Sequence, residues 1–185
     1  MKALITGCFA AFLMVCIAVG LAEAEKPKNS VAKNNKQGKQ PSPAAVERTR
    51  DTVKMLDDIY KQTIVLVTDK YVHDEDDFAA GSAAVELFRR VSKTGFHNVR
   101  LIDVTGEPYE PENVAKSDFE KQAVKKIKSG EGYVEDVVNK DGKSFLLAMT
   151  AVPVVMDKCI MCHPHYKDVK KGAAIGAVCY EMPIR

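Results

Sequence analysis

The chain has 185 residues, 46% hydrophobic and 28% charged, with 27 basic against 25 acidic side chains and a net charge of +2. That balance is too even to argue for nucleic acid as a partner, and the sequence holds no Arg/Lys-rich reading helix, zinc-finger pattern or Gly-rich phosphate loop. The length suits one folded domain with appendages.

Lys2 precedes an apolar run from Ala3 to Leu21, and Ala22-Glu23-Ala24 supplies the small residues of a cleavage site. Residues 1–24 are therefore expected to be a secretory signal peptide cut after Ala24, and the mature protein to be periplasmic or otherwise exported. The competing reading is an uncleaved anchor, since the run nearly suffices to span a bilayer; only in that case is a membrane a partner. Cys8 lies too early, ahead of most of the apolar run, for a lipoprotein box. Cleavage removes Cys8 and Cys16 and leaves Cys159, Cys162 and Cys179, an odd number for an exported protein.

Residues 25–43 are rich in Lys, Asn, Gln and Pro and almost without apolar side chains, which predicts a disordered basic linker. The domain is expected over 44–185. It opens with a long helix from Ala44 to about Tyr71, in which Val53, Leu56, Tyr60, Ile64, Val67 and Tyr71 recur at spacings of three and four and Ile59 and Leu66 widen the stripe. Such a helix packs across a domain or pairs with a second copy of itself, so a homodimer through it is a candidate assembly.

The acidic cluster from Asp74 to Asp77 suits the start of a second helix, with apolar positions Phe78, Ala84, Leu87, Phe88 and Val91 and a C-terminal cap at Gly95. Asn98 to Val104 alternates and predicts a strand, ended by the turn Thr105-Gly106-Glu107-Pro108. Ser117-Asp118-Phe119-Glu120 is a capping box that opens a third helix through Ile127, with Ser129-Gly130 closing it and Lys121, Lys125, Lys126 and Lys128 on a solvated face. Tyr133–Val138 and Lys143–Val152 flank Asn139-Lys140-Asp141-Gly142 as a β-hairpin, and Gly172–Met182 reads as a last strand. The order predicts an α+β fold: a small antiparallel sheet flanked by helices, with a long N-terminal helix.

Between the hairpin and the last strand lies Cys159-Ile160-Met161-Cys162-His163. Two cysteines three apart, followed at once by histidine, are the pattern for covalent attachment of one haem c: each thiol adds to a vinyl group of the porphyrin, and the histidine reaches the iron. Cys159 and Cys162 are thus the expected thioether residues and His163 the proximal iron ligand. Export and this motif support each other, because c-type haem is attached outside the cytoplasmic membrane. The haem-free alternatives are zinc on Cys159, Cys162, His163 and His165, or a redox-active disulfide between the two cysteines.

Several residues around the motif also resemble a known family. Val99-Arg100-Leu101, Glu110-Pro111-Glu112-Asn113, Phe119-Glu120, Val152-Pro153-Val154-Val155, the haem motif and Gly172 to Ala177 stand in the order found in the haem-c-binding PAS-like sensor domain family. The resemblance covers about residue 44 to 185 and implies a PAS-like sheet cupping one covalently held haem. It also implies an exported single-domain cytochrome or a sensory module, whose output would pass through a separate partner.

The ligand opposite His163 is left open by the sequence. The candidates are His97 just before the first strand, Cys179 on the last, Met149 on the hairpin and His73 at the end of the long helix, with Met55 and His165 behind them; for the methionines and Cys179 packing is the ordinary role. Two strong ligands favour one-electron transfer or redox sensing with a redox partner protein, whereas an open position admits NO, CO or O₂ and favours a gas-sensor module with a signalling partner. An enzyme such as a peroxidase ranks last, because no distal His/Arg pair is recognisable as acid–base machinery.

Overall fold

The computed structural model describes residues 40–74, 78–160, 164–170 and 172–185, without the side chains of Pro164 and His165. The expected signal peptide, nearly all of the basic linker, Cys162 and His163 lie outside the described residues. All described elements belong to one compact unit, Lys36–Arg185.

Helix α1 spans Pro43–Tyr71, with Ser42 as N-cap accepting from the Ala45 N–H and Pro43 at the first helical position, where its missing N–H costs nothing. Its inward stripe is narrower than the sequence suggests. Val53 and Tyr60 are buried and Leu56 and Ile64 pack against them, but Ile59 is 51% and Leu66 57% exposed. At 3.6 residues per turn these two project roughly 120–140° away from Val53, beyond the reach of the sheet. Tyr71 falls on the right face yet is exposed, because it closes the last turn of the helix.

Helix α2 spans Ala80–Lys93 and buries Ala84 and Phe88. It starts later than expected: Phe78 precedes it and is exposed, no acidic residue stands in its first turn, and the N-cap Ala79 offers no side-chain bond. Of the acidic cluster only Asp74 is described, six residues before the helix starts; Glu75, Asp76 and Asp77 lie outside the described residues. Gly95, at φ +79°, ends the helix as expected.

Strand β1 covers Asn98–Asp103, helix α3 Asp118–Lys128, and strands β2 and β3 Tyr133–Lys140 and Lys143–Pro153. The capping box of α3 is complete: the Glu120 N–H donates to Ser117 Oγ at 3.2 Å and the Ser117 N–H to Glu120 Oε2 at 2.9 Å. The hairpin turns on Asp141 and Gly142, both at positive φ (52° and 77°), as a two-residue turn of right twist requires. Strand β4, Ala174–Pro183, completes an antiparallel sheet of order β1-β4-β3-β2.

Side chains alternate across the sheet, and each face has its own core. Val99, Leu146, Ala148, Val178 and Tyr180 meet α1 and α2 on one face; Ile102, Met149, Ala177 and Cys179 meet Ala123 and Ile127 of α3 on the other. The fold is α+β, with a small antiparallel sheet between helices and a long N-terminal helix.

Candidate functional site

At one end of the α1/α2 face the packing opens into a cleft of about 240 Å³. Its floor is the end of β1 (Leu101, Ile102), the end of β3 (Val152, Pro153) and the start of β4 (Ile175, Gly176). Its walls are Lys61, Ile64, Val65 and Thr68 of α1, the first turns of α2, and Val155 to Cys159. Ligand sites are typically apolar concavities with a few placed polar groups, and this one has that make-up.

Local sequence explains the opening. Pro153 cannot donate to the ladder, the register slips between Val152 and Pro153, and β3 leaves the sheet there. The chain then runs into a 3₁₀ turn over Asp157–Ile160, where the Cys159 N–H donates to the Met156 carbonyl. Gly176 lets β4 pass close beneath: a Cβ there would stand 3.3 Å from the Ile102 carbonyl oxygen.

Cys159 is a half-buried free thiol on the cleft wall. Lys158 beside it donates to the Asp69 carbonyl of α1 at 2.8 Å, which straps this loop to the helix. Tyr166, from the second 3₁₀ turn (Pro164–Asp168), also lines the cleft; burial, with the Asp103 carboxylate adding to it, pushes its hydroxyl up to about 12. Cys162 and His163 continue the chain from this wall and lie outside the described residues, as does the side chain of His165.

The candidates for the opposite iron ligand are scattered. Met149 and Cys179 are cross-strand partners and both face α3, on the other side of the sheet from the α1/α2 wall. Burial, with Glu120 nearby, pushes the Cys179 thiol up to about 12, so it stays a protonated core residue at neutral pH. His97 is buried away from the cleft, its Nε2 3.1 Å from the Tyr60 hydroxyl and its ring stacked on the Tyr60 ring; burial lowers its pKa. Met55 is exposed on the outer face of α1. His73 is exposed just past α1, one residue after the cleft-lining Val72. Among the described lining residues there is one methionine, Met156, and no histidine.

One constellation escaped the sequence reading. Lys61 donates to Asp57 Oδ2 at 2.8 Å, while Asp57 Oδ1 accepts from Thr150 at 2.6 Å and from Tyr180 at 3.0 Å. Two strands of the sheet thus fix a carboxylate that fixes the ammonium of Lys61, a residue of the cleft wall. The only local signal is an Asp–Lys pair four apart, common on any solvated helix face.

A profile of the Tll0287-like family, described as Tll0287, matches residues 25–178. No curated protein matches. Among solved structures, the crystal structure of the cyanobacterial heme-protein Tll0287 superposes with a TM-score of 0.53 at 11% identity, over 77% of this chain and 96% of that one. At that identity the likeness is one of fold, and it agrees with the helix-flanked sheet described above. With most of its length inside the family profile, the chain belongs to the Tll0287-like family.

Proposed function

We propose that this is an exported haem protein that carries one haem c in the cleft, tethered through Cys159 and Cys162 with His163 as proximal ligand, and that it serves one-electron transfer or redox sensing. The observation that carries the reading is the place of Cys159: the first thiol of a Cys-x-x-Cys-His run lines an apolar cleft between two helices and a sheet. The haem-protein identity of the fold relative supports it from a second side.

The residues present fit such a group. Ile64, Val65, Leu101, Val152 and Ile175 offer the apolar contact a porphyrin needs, and Tyr109 and Val155, exposed at 69% and 58%, leave apolar surface at the cleft for a large ligand to cover. When bound, haem supplies a one-electron iron couple whose potential follows its axial ligands and burial. The chain's own part is to exclude water with α1 and the sheet end, to hold the ring by its thiols, and to fix the loop through Lys158 and the Asp69 carbonyl. Output passes to a separate redox or signalling protein. The exposed stripe of Met55, Ile59 and Leu66 on α1 supports pairing of two copies through that helix; sedimentation showing only monomer at high concentration contradicts this.

A second reading, a module that binds NO, CO or O₂, draws support from one observation: His97, Met149 and Cys179 do not line the cleft. Absorption spectra of the reduced protein with and without CO separate the two. An unchanged spectrum supports electron transfer with two firm ligands, a CO-shifted band supports gas binding, and no haem band at all overturns both.

A further inference from the structure

We propose that Lys61 is the anchor for a carboxylate of the group held in the cleft; resting on the haem reading above, that carboxylate is a haem propionate. The inference starts from a mismatch. The cleft is mostly apolar, yet α1 places a lysine in its wall and the fold invests a buried network in holding it there.

Asp57 and Lys61 stand four apart on α1, and an exposed pair of that kind contributes little to stability. Here the carboxylate is not left to solvent: its side chain is 17% exposed, and its other oxygen takes hydrogen bonds from Thr150 on β3 and Tyr180 on β4, both buried. Helix and sheet therefore agree on one position for Asp57, and through it on one position for the ammonium. Lys61 Nζ has three protons and Asp57 accepts one, which leaves donors for a second acceptor. The acids of the cleft, Asp103 and Glu110, come from the end of β1 and the loop after it, whereas Lys61 comes from α1. An apolar body with carboxylates at one edge is thus sorted: its anionic edge is drawn to α1. Lys158, the other lysine among the described lining residues, stands next to Cys159 and straps that loop to α1 through the Asp69 carbonyl.

The test uses the full-length, haem-loaded chain with Lys61→Met, Lys61→Gln and Lys61→Arg. Loss of Lys61 leaves Asp57 its bonds to Thr150 and Tyr180, so the variants are expected to fold, which thermal melting checks. A fixed positive charge beside the ring favours the reduced iron, which carries one charge less. The midpoint potential is therefore expected to fall in Met and Gln and to return towards wild type in Arg, a rescue that a purely structural role for the side chain would not give. A second readout uses the full chain carrying Cys159→Ala and Cys162→Ala, with haemin and haemin dimethyl ester as probes. The preference for haemin over its ester is expected to drop on the order of tenfold on Lys61→Met, as loss of one charge-assisted hydrogen bond implies. Haem present with potential and preference unmoved by Lys61→Met overturns the Lys61 assignment alone. A chain with no haem band and no haemin binding overturns the haem reading and the assignment with it.

Discussion

The two faces of the sheet are packed to different purposes. On the α3 face Ile102, Val104, Ala123, Ile127, Met149 and Ala177 are each at most 2% exposed, and the one acid among them, Glu120, meets the Lys116 and Ser117 N–H groups and Arg100. Packing and capping account for these side chains. On the α1/α2 face one half is as dense, with Leu146, Ala148, Val178 and Tyr180 at 0% exposure, while the other half opens into the cleft. That half retains groups that packing does not use: a thiol at Cys159 and an ammonium at Lys61. Within one small domain, a ligand site is recognised by chemistry left over after the core has been accounted for.

Four changes test this contrast, the largest expected effect first. Replacing both Cys159 and Cys162 by Ala should abolish covalent haem entirely, read as loss of the haem mass from the denatured chain. It should also lower the unfolding temperature, since a ligand bound to the folded state stabilises it. A doubly substituted variant as stable as the loaded wild type would argue against a haem-centred cleft. On the closed face, Met149→Ala should cost about 2–5 kcal/mol in denaturant unfolding, as for other fully buried large-to-small changes. It should leave the position of the haem bands unchanged; a shifted spectrum would return Met149 to the list of iron ligands and break the division between the faces.

Ser117→Ala removes the N-cap of α3 and should cost about 1 kcal/mol of stability, again without a spectral effect. The smallest effect concerns pH. Burial holds the His97 pKa below its unfolded value, so the unfolded chain binds the extra proton first, and stability falls as pH drops from about 6.5 toward the lower folded value. Replacing His97 by Gln should flatten this part of the stability–pH curve; equal slopes for the two proteins between pH 7 and 5 would contradict the buried, neutral histidine.

What the sequence disclosed follows from how local each signal is. The limits of α3 were legible because Ser117 and Glu120 satisfy each other within one turn, and the hairpin because Asp141 and Gly142 accept positive φ. The extra width of the α1 stripe was not, because Ile59 and Leu66 are as apolar as their neighbours and only the place of the sheet decides which are covered. The iron-ligand candidates on strands were the least legible. Whether Met149 faces the cleft or α3 depends on strand parity, and one residue of register inverts the answer. Lys61 was invisible for another reason: its partner Asp57 is local, but Thr150 and Tyr180 come from β3 and β4, 93 and 123 residues later.

The central claim, a haem covalently held at Cys159 and Cys162 in the cleft, is tested most directly by the intact mass of the purified, denatured mature protein after export in a host that matures c-type haem. The account predicts a chain one haem heavier than its polypeptide, with the visible absorption travelling with the denatured protein. A mass equal to the polypeptide alone, with no visible band, would contradict it.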